Sequence, residues 1–147
     1  MNKISLLSTT DLRDAWHIEQ ASHAFPWSAK TFADNHGERY LNFKLTVDER
    51  LAAYAITQTV LDEATLFNIA VHPDFQRHGL GRELLQFLIG ELENRGILTL
   101  WLEVRKSNFA AIALYQSLGF NEVSVRRDYY PAAQGREDAI IMALPMG

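Results

Sequence analysis

Two glycines one residue apart, Gly79 and Gly81, stand between an apolar, β-leaning run and a stretch of leucines at helical spacing. The run (Thr65, Leu66, Phe67, Ile69, Val71) stops at His72-Pro73, because proline fixes its own φ and keeps the preceding residue out of the helical region. Leu80, Leu84 and Leu88, with Leu85 and Leu92 beside them, then carry the helical period. Strand, glycine loop and helix in that order leave the first helical N–H groups without internal partners and set the positive end of the helix dipole at the loop. That suits a bound anion such as a phosphate. Glycine admits a phosphate where a Cβ would obstruct it, and Arg77 and Arg82 flank the turn as counter-charges. An ordinary βα turn is the alternative. Further on, Glu103 is a lone carboxylate in an apolar strand pattern, and Asn108 and Tyr115 recur on one side of a helical pattern, two turns apart. Together these residues offer an anion site with proton-carrying groups downstream of it.

The remaining elements must hold those groups. Ile4 to Leu7 reads as a short strand, and Thr9-Thr10-Asp11 offers caps for a helix over Leu12 to Ser22, with Leu12, Ala15, Trp16, Ile18 and Glu19 on its faces. His23-Ala24-Phe25-Pro26-Trp27-Ser28 breaks that helix, and Ser28 can cap a second one through Phe32. Phe25 and Trp27 either line a groove or plug the space between two helices. Strands are expected over Tyr40 to Val47, Leu51 to Leu61 and Ala64 to Val71, forming an antiparallel meander with turns at Asp48-Glu49-Arg50 and Asp62-Glu63. The leucine helix ends at Asn94-Arg95-Gly96, where glycine suits a left-handed cap. Ile97 to Val104 alternates, with Leu100, Leu102 and Val104 on one side and Thr99, Trp101 and Glu103 on the other. A helix from Ser107-Asn108 stops at Gly119-Phe120, a strand lies near Glu122 to Arg126, a polar stretch holds Tyr129, Tyr130 and Arg136, and Asp138 to Leu144 closes the chain as a strand. The pattern is α+β, with a mostly antiparallel front half and a βα rear half, and residues 1–147 form one domain with a continuous core.

Composition narrows the function classes. The chain is 48% hydrophobic and 22% charged, as in globular proteins, with no run of eighteen apolar residues and no apolar block at its start. A cytoplasmic location is the expectation, with no membrane partner. The absence of cysteine removes disulfides, thiolate metal sites and an acyl-cysteine intermediate. The net charge of −4 argues against direct nucleic-acid binding and favours a cationic partner. Five histidines without ligand spacing give no metal site.

Two phosphate loops fail against Gln76-Arg77-His78-Gly79-Leu80-Gly81. A P-loop closes on Gly-Lys-Ser/Thr, but Arg82-Glu83 follows Gly81; a dinucleotide fingerprint needs glycine or alanine where Leu84 stands. The hexapeptide instead resembles the Gln/Arg-x-x-Gly-x-Gly/Ala loop of the GCN5-related N-acetyltransferase (GNAT) superfamily. Asn108-x-x-Ala111-x-x-Leu114-Tyr115-x-x-x-Gly119-Phe120 resembles the second signature of that superfamily. The likeness implies a GNAT fold, α+β in three layers, with a central mixed, mostly antiparallel twisted sheet flanked by helices, and acetyl-CoA as co-substrate. It implies that the backbone of Ile69, Ala70 and Val71 pairs with the pantetheine arm and that Arg77, His78, Gly79, Leu80, Gly81 and Arg82 hold the pyrophosphate. Asn108 would contact the cofactor, and Tyr115 would lie near its sulfur. The HAFPWS segment, the WLEVR strand and the RRDYYP…GREDAIIM tail are similar to the Rim-type branch, which acetylates the N-terminal alanine of small-subunit ribosomal protein eighteen, and so imply a ribosomal-protein N-terminal peptide as partner.

Transfer to an amine needs the amine neutral, a donor for the oxyanion and a proton for the leaving thiolate. An α-amine near pKa ~8 is neutral far more often at pH 7 than a lysine near ~10.4, an advantage of roughly 3 kcal/mol. Glu103 is the candidate general base, with a solvated or ion-paired glutamate as its alternative. Tyr115 is the candidate general acid, with a core tyrosine as its alternative. Two rival functions share the resemblance: a small-molecule amine acetyltransferase acting on polyamines or aminoglycosides, and a non-catalytic acyl-CoA-binding module.

Overall fold

The computed structural model describes residues 1–147. One seven-stranded sheet organises it, in the spatial order β1-β2-β3-β4-β5-β7-β6. The strands are β1 (Asn2–Leu6), β2 (Phe43–Val47), β3 (Arg50–Val60), β4 (Glu63–Val71), β5 (Thr99–Arg105), β6 (Asn121–Pro131) and β7 (Arg136–Pro145); the helices are α1 (Leu12–Ser22), α2 (Ala29–Asp34), α3 (Leu80–Asn94) and α4 (Phe109–Ser117). All neighbours pair antiparallel except β4 and β5. That parallel step is where α3 crosses between strands, as a parallel connection requires. The α+β architecture and the mostly antiparallel front half match the expectation. No helix is long and apolar enough to cross a membrane.

Each face of the sheet is covered by a pair of helices. Leu80, Leu84, Leu85, Leu88 and Leu92 of α3 are buried in the larger core with Leu100, Leu102 and Val104 of β5 and Tyr115 of α4. Burying one such leucine contributes about 2 kcal/mol of transfer free energy. On the other face Ala15 and Ile18 of α1 and Phe32 of α2 pack on Tyr54, Ile56 and Ala70. The alternation expected along β5 therefore holds, and it directs Glu103 to the α1 side.

Several boundaries differ from the sequence reading, each for a local reason. β2 starts at Phe43 rather than Tyr40, because the Asn42 side chain replaces strand pairing: its Oδ1 accepts from Thr57 N at 3.0 Å and its Nδ2 donates to Asn35 O at 2.9 Å. Tyr40 keeps only a bridge to Gln58. α1 is preceded by a 3-10 turn, in which Ser8 N donates to the Asp11 carboxylate at 2.8 Å. β6 continues past Arg126 to Pro131, through part of the polar stretch expected after the strand. The pairing slips between Arg126 and Tyr130, where Asp128 is left-handed at φ 52°, and Arg136 closes the gap by donating to Asp128 O and Tyr129 O, each at 2.8 Å. Gly96 takes the left-handed conformation expected after α3.

Candidate active site

β4 and β5 pair over only four positions, from Glu63↔Thr99 to Leu66↔Leu102. At that point β4 bulges: Thr57 faces Leu66 and Ile56 faces Asn68, so Phe67 is the extra residue. A bulge bends its strand and raises its twist. Beyond it β4 stays with β3 and leaves β5, opening a wedge within the sheet, with the upper edge of β4 facing it. A cavity of about 610 Å³ fills the wedge. Phe67, Asn68 and Ile69 of β4 line it on one side and Glu103 and Arg105 of β5 on the other. His23, Phe25 and Trp27 after α1 form one wall, and Tyr130 and Pro131 of β6 form the opposite wall.

The glycine loop lies at the end of β4. Arg77 and Gly79 are both left-handed, at φ 68° and 75°, and α3 starts directly after Gly79. The two left-handed residues turn the chain at the end of β4 and bring it to the free N–H groups of the helix start, where an anion can bind. Arg77, His78 and Gly79 are exposed, whereas Leu80 is buried in the core. A Cβ on Gly81 would meet the Val71 and Leu114 side chains at 3.7 and 4.0 Å, so this glycine faces β4 and α4 rather than open space. Arg82 reaches α4, donating to Ser117 Oγ at 2.9 Å. The Val71 carbonyl already accepts from Ser22 Oγ at 3.1 Å and Gln76 Nε2 at 3.0 Å, and Ala70 is buried against α1.

Asn108 and Tyr115 both line the cavity. Asn108 is also the N-cap of α4, its Oδ1 accepting from Ala111 N at 3.2 Å. Burial pushes the Tyr115 phenol up to about 12, with the neighbouring Tyr130 adding to the shift. Tyr130 is likewise raised to about 12, first by burial and then by the Glu103 charge. Tyr115 belongs to the α3–α4 side and Glu103 to the α1 side, so a molecule lying in the wedge is approached from both faces of the sheet. Glu103 is ion-paired: its Oε2 is sealed from solvent 3.4 Å from Arg126 Nε, without hydrogen-bond alignment.

Two clusters at this site were not picked out from the sequence. Glu19 is 1% exposed beneath the cavity. It accepts from the Tyr54 hydroxyl, from Asn68 Nδ2 at 2.6 Å and from Trp27 N at 2.8 Å, and His23 Nε2 lies 3.4 Å away. Its signal was a carboxylate on the buried stripe of a helix, four residues before a histidine. Arg105, one alternation beyond Glu103, binds Pro131 O at 2.6 Å and Glu137 Oε1 at 3.0 Å. No local pattern marks Arg105, because its partners lie on other strands.

The chain matches the model of the acetyltransferase (GNAT) family over residues 3–120. It is 75% identical over 146 residues to a [ribosomal protein bS18]-alanine N-acetyltransferase of Salmonella typhimurium, covering 99% of each chain. A relative of the same name in Haemophilus influenzae is 51% identical, over 97% of this chain and 98% of that one. The crystal structure of the ribosomal-protein-S18-alanine N-acetyltransferase from Escherichia coli superposes with a TM-score of 0.98 at 72% identity, covering 100% of this chain and 95% of the other. With a wedge between diverging strands, a left-handed glycine opening the helix beside it, and a family model that spans most of its length, the chain belongs to the acetyltransferase (GNAT) family.

Proposed function

We propose that this protein is an acetyl-CoA-dependent N-α-acetyltransferase acting on the N-terminal alanine of ribosomal protein bS18, working in the cytoplasm as a single catalytic domain. The observation that carries the proposal is a wedge flanked by Glu103 on one face of the sheet and Tyr115 on the other, in a chain 75% identical along 99% of its length to an enzyme of that name. The donor fits the residues present. Its diphosphate would sit on the N–H groups around Arg77 to Gly79, and its pantetheine arm would follow the free edge of β4 at Ile69 and Ala70. Gly81, Arg82 and Val71 contribute by closing α3 onto α4 and β4, and Asn108 by fixing the start of α4 beside the cavity.

In the reaction the amine nitrogen bonds to the thioester carbonyl carbon, the C–S bond breaks, one amine proton is released and the thiolate takes a proton. Glu103 receives the amine proton directly or through water. Tyr115 supplies the thiolate proton, and a phenol held near 12 stays protonated at neutral pH and is ready to donate. A thiolate whose thiol has the ordinary pKa ~8.5 is a weaker base than that phenolate, so the proton transfer is uphill unless the same burial also raises the thiol.

The test is thiol release from acetyl-CoA with an Ala-initiated basic peptide, the same peptide N-terminally blocked, spermidine, an aminoglycoside, or no acceptor. Turnover with the free peptide alone, with acetyl on its α-amine by mass spectrometry, is the expected result. Rapid use of spermidine or the aminoglycoside with neither peptide modified would give the function to the small-molecule reading. Cofactor binding without turnover would give it to a silent module.

A further inference from the structure

The last pair that joins β4 to β5 is Leu66↔Leu102, so Glu103 on β5 and Asn68, just past the bulge on β4, flank the narrow end of the wedge. Asn68 stands beside Ile56, which packs under α1, and thus shares the α1 face with Glu103. It holds a histidine in place. Asn68 Nδ2 donates to Glu19 Oε1 at 2.6 Å, which turns Asn68 Oδ1 toward His23 Nε2 at 3.1 Å, and Glu19 Oε1 lies 3.4 Å from the same ring nitrogen. The opposite amide orientation would set an oxygen against the buried carboxylate, so His23 Nε2 is the nitrogen that carries the proton. A neutral imidazole has one donor and one acceptor nitrogen, and here the acceptor is Nδ1. No group of the protein bonds to His23 Nδ1, and the side chain, 34% exposed, lines the cavity.

A neutral primary amine has four tetrahedral directions: its Cα, two N–H bonds and the lone pair. With the Cα toward the cavity mouth and one N–H on Glu103, the second N–H points to the β4 side and the lone pair to the α3–α4 side, where Tyr115 stands. We propose that His23 Nδ1 is the second hydrogen-bond acceptor for the amine, holding the N–H that stays in the product amide while Glu103 takes the one that leaves. Two acceptors on opposite sides fix the rotation of the nitrogen and aim its lone pair at the thioester carbonyl. As the N–C bond forms the nitrogen becomes cationic, so the bond to His23 tightens in the transition state, and the Glu19 carboxylate behind the ring favours that charge. The assignment rests on the α-amine reading above and adds to it the residue that orients the nucleophile.

The experiment compares kcat and KM for two peptides that differ only in their first residue, alanine or N-methylalanine, using the wild type, His23→Leu and His23→Asn. The neutral secondary amine has a single N–H and cannot serve Glu103 and His23 together. A hydrogen bond of this kind is worth about tenfold, so His23→Leu is expected to lower kcat for the alanine peptide by about that factor, with acetyl-CoA affinity unchanged by calorimetry. The preference for alanine over N-methylalanine should shrink by the same factor, since the secondary amine had no second N–H to give. His23→Asn places an amide group where Nδ1 stood and should restore most of the lost kcat. A ratio between two substrates does not depend on how much of a variant is folded, so the comparison survives partial unfolding. An unchanged alanine to N-methylalanine ratio in His23→Leu would overturn the assignment, whatever the fall in kcat, and leave α-amine transfer intact. A wild type that acetylates neither peptide would remove the α-amine reading and the His23 role with it.

Discussion

Arg126 Nε stands 3.4 Å from Glu103 Oε2, so the carboxylate proposed as base already faces a cation of its own chain. An incoming ammonium competes with Arg126 for the charge of that carboxylate. A positioned base is worth about 10²–10⁴ in rate, and Glu103→Gln is expected to lower kcat within that range while leaving acetyl-CoA affinity unchanged by calorimetry. Arg126→Gln should act in the opposite sense on binding. A half-exposed pair is worth about 0.2–1 kcal/mol, so the acceptor KM should fall by roughly 1.4-fold to fivefold. Near-wild-type turnover of folded Glu103→Gln would remove Glu103 from the mechanism.

Tyr115 is raised to about 12 by burial, and this fixes both a rate profile and a stability profile. We predict that kcat/KM rises as the acceptor amine loses its proton near pH ~8 and then stays level to pH 10, because the phenol is still protonated there. Tyr115→Phe should lower kcat by about 10²–10⁴. Burial is the first cause of the upward shift at Tyr54, Tyr115 and Tyr130 alike. Their neutral forms are favoured on folding, so that contribution is complete below the unfolded value near ~10 and is lost as pH climbs above it. A melting temperature that declines between pH 7 and 9 would contradict this, as would early titration of these phenols at 295 nm.

The two glycines of the loop should respond differently to substitution. Gly79 is left-handed and precedes the first residue of α3, and an L-residue there costs about 1–2 kcal/mol. Gly79→Val is expected to weaken acetyl-CoA binding at least tenfold, by tilting the N–H groups and adding bulk over them. Gly81→Ala places its methyl at ordinary contact distance from Val71 and Leu114, so affinity should stay within about threefold. Isothermal calorimetry on both variants decides; equal losses would mean that the anion approaches Gly81 instead.

Glu19→Ala leaves the Tyr54 hydroxyl, Asn68 and the Trp27 amide without an acceptor. Breaking a buried charged network of this kind costs about 3–5 kcal/mol, a drop of roughly 6–20 °C in melting temperature for a domain of this size. Glu19→Gln should recover little, because its new NH₂ would face groups that are themselves donors. Scanning calorimetry showing Glu19→Gln as stable as the wild type would mean that the hub does not need both carboxylate oxygens as acceptors.

The strands and helices were legible wherever a period and a stop signal coincided. The leucine stripe with Gly96, the Ser28 cap and the alternation of β5 are examples, since each is written in residues close together in the chain. Asn42 taking the place of strand pairing was not legible, because its partner Thr57 belongs to the next strand. The length of β6 was hidden for the same reason: Arg136, eight residues past the Asp128 bulge, is what makes the strand continuous. At the candidate site, Glu103, Asn108 and Tyr115 stood out by type and spacing. Glu19 and Arg105 gain their meaning only from groups that the fold brings to them.

The four pairs that join β4 to β5 also bear on how the chain assembles and opens. β3 and β4 share eight pairs, and β5 and β7 share seven. Glu63 must find Thr99 across the whole of α3, a separation much like those that β1–β2 and β5–β7 close, but only four pairs hold this step. Loop closure costs entropy, and few pairs repay it here, so this seam is expected to be the last interior one to zip and the first to part. Native-state hydrogen exchange would detect it as the least protected interior amides of the sheet. A ligand lying along both strands binds only the zipped form and therefore acts as a keystone: at a hundred times its Kd, it would add about 2.7 kcal/mol to the stability of the whole domain.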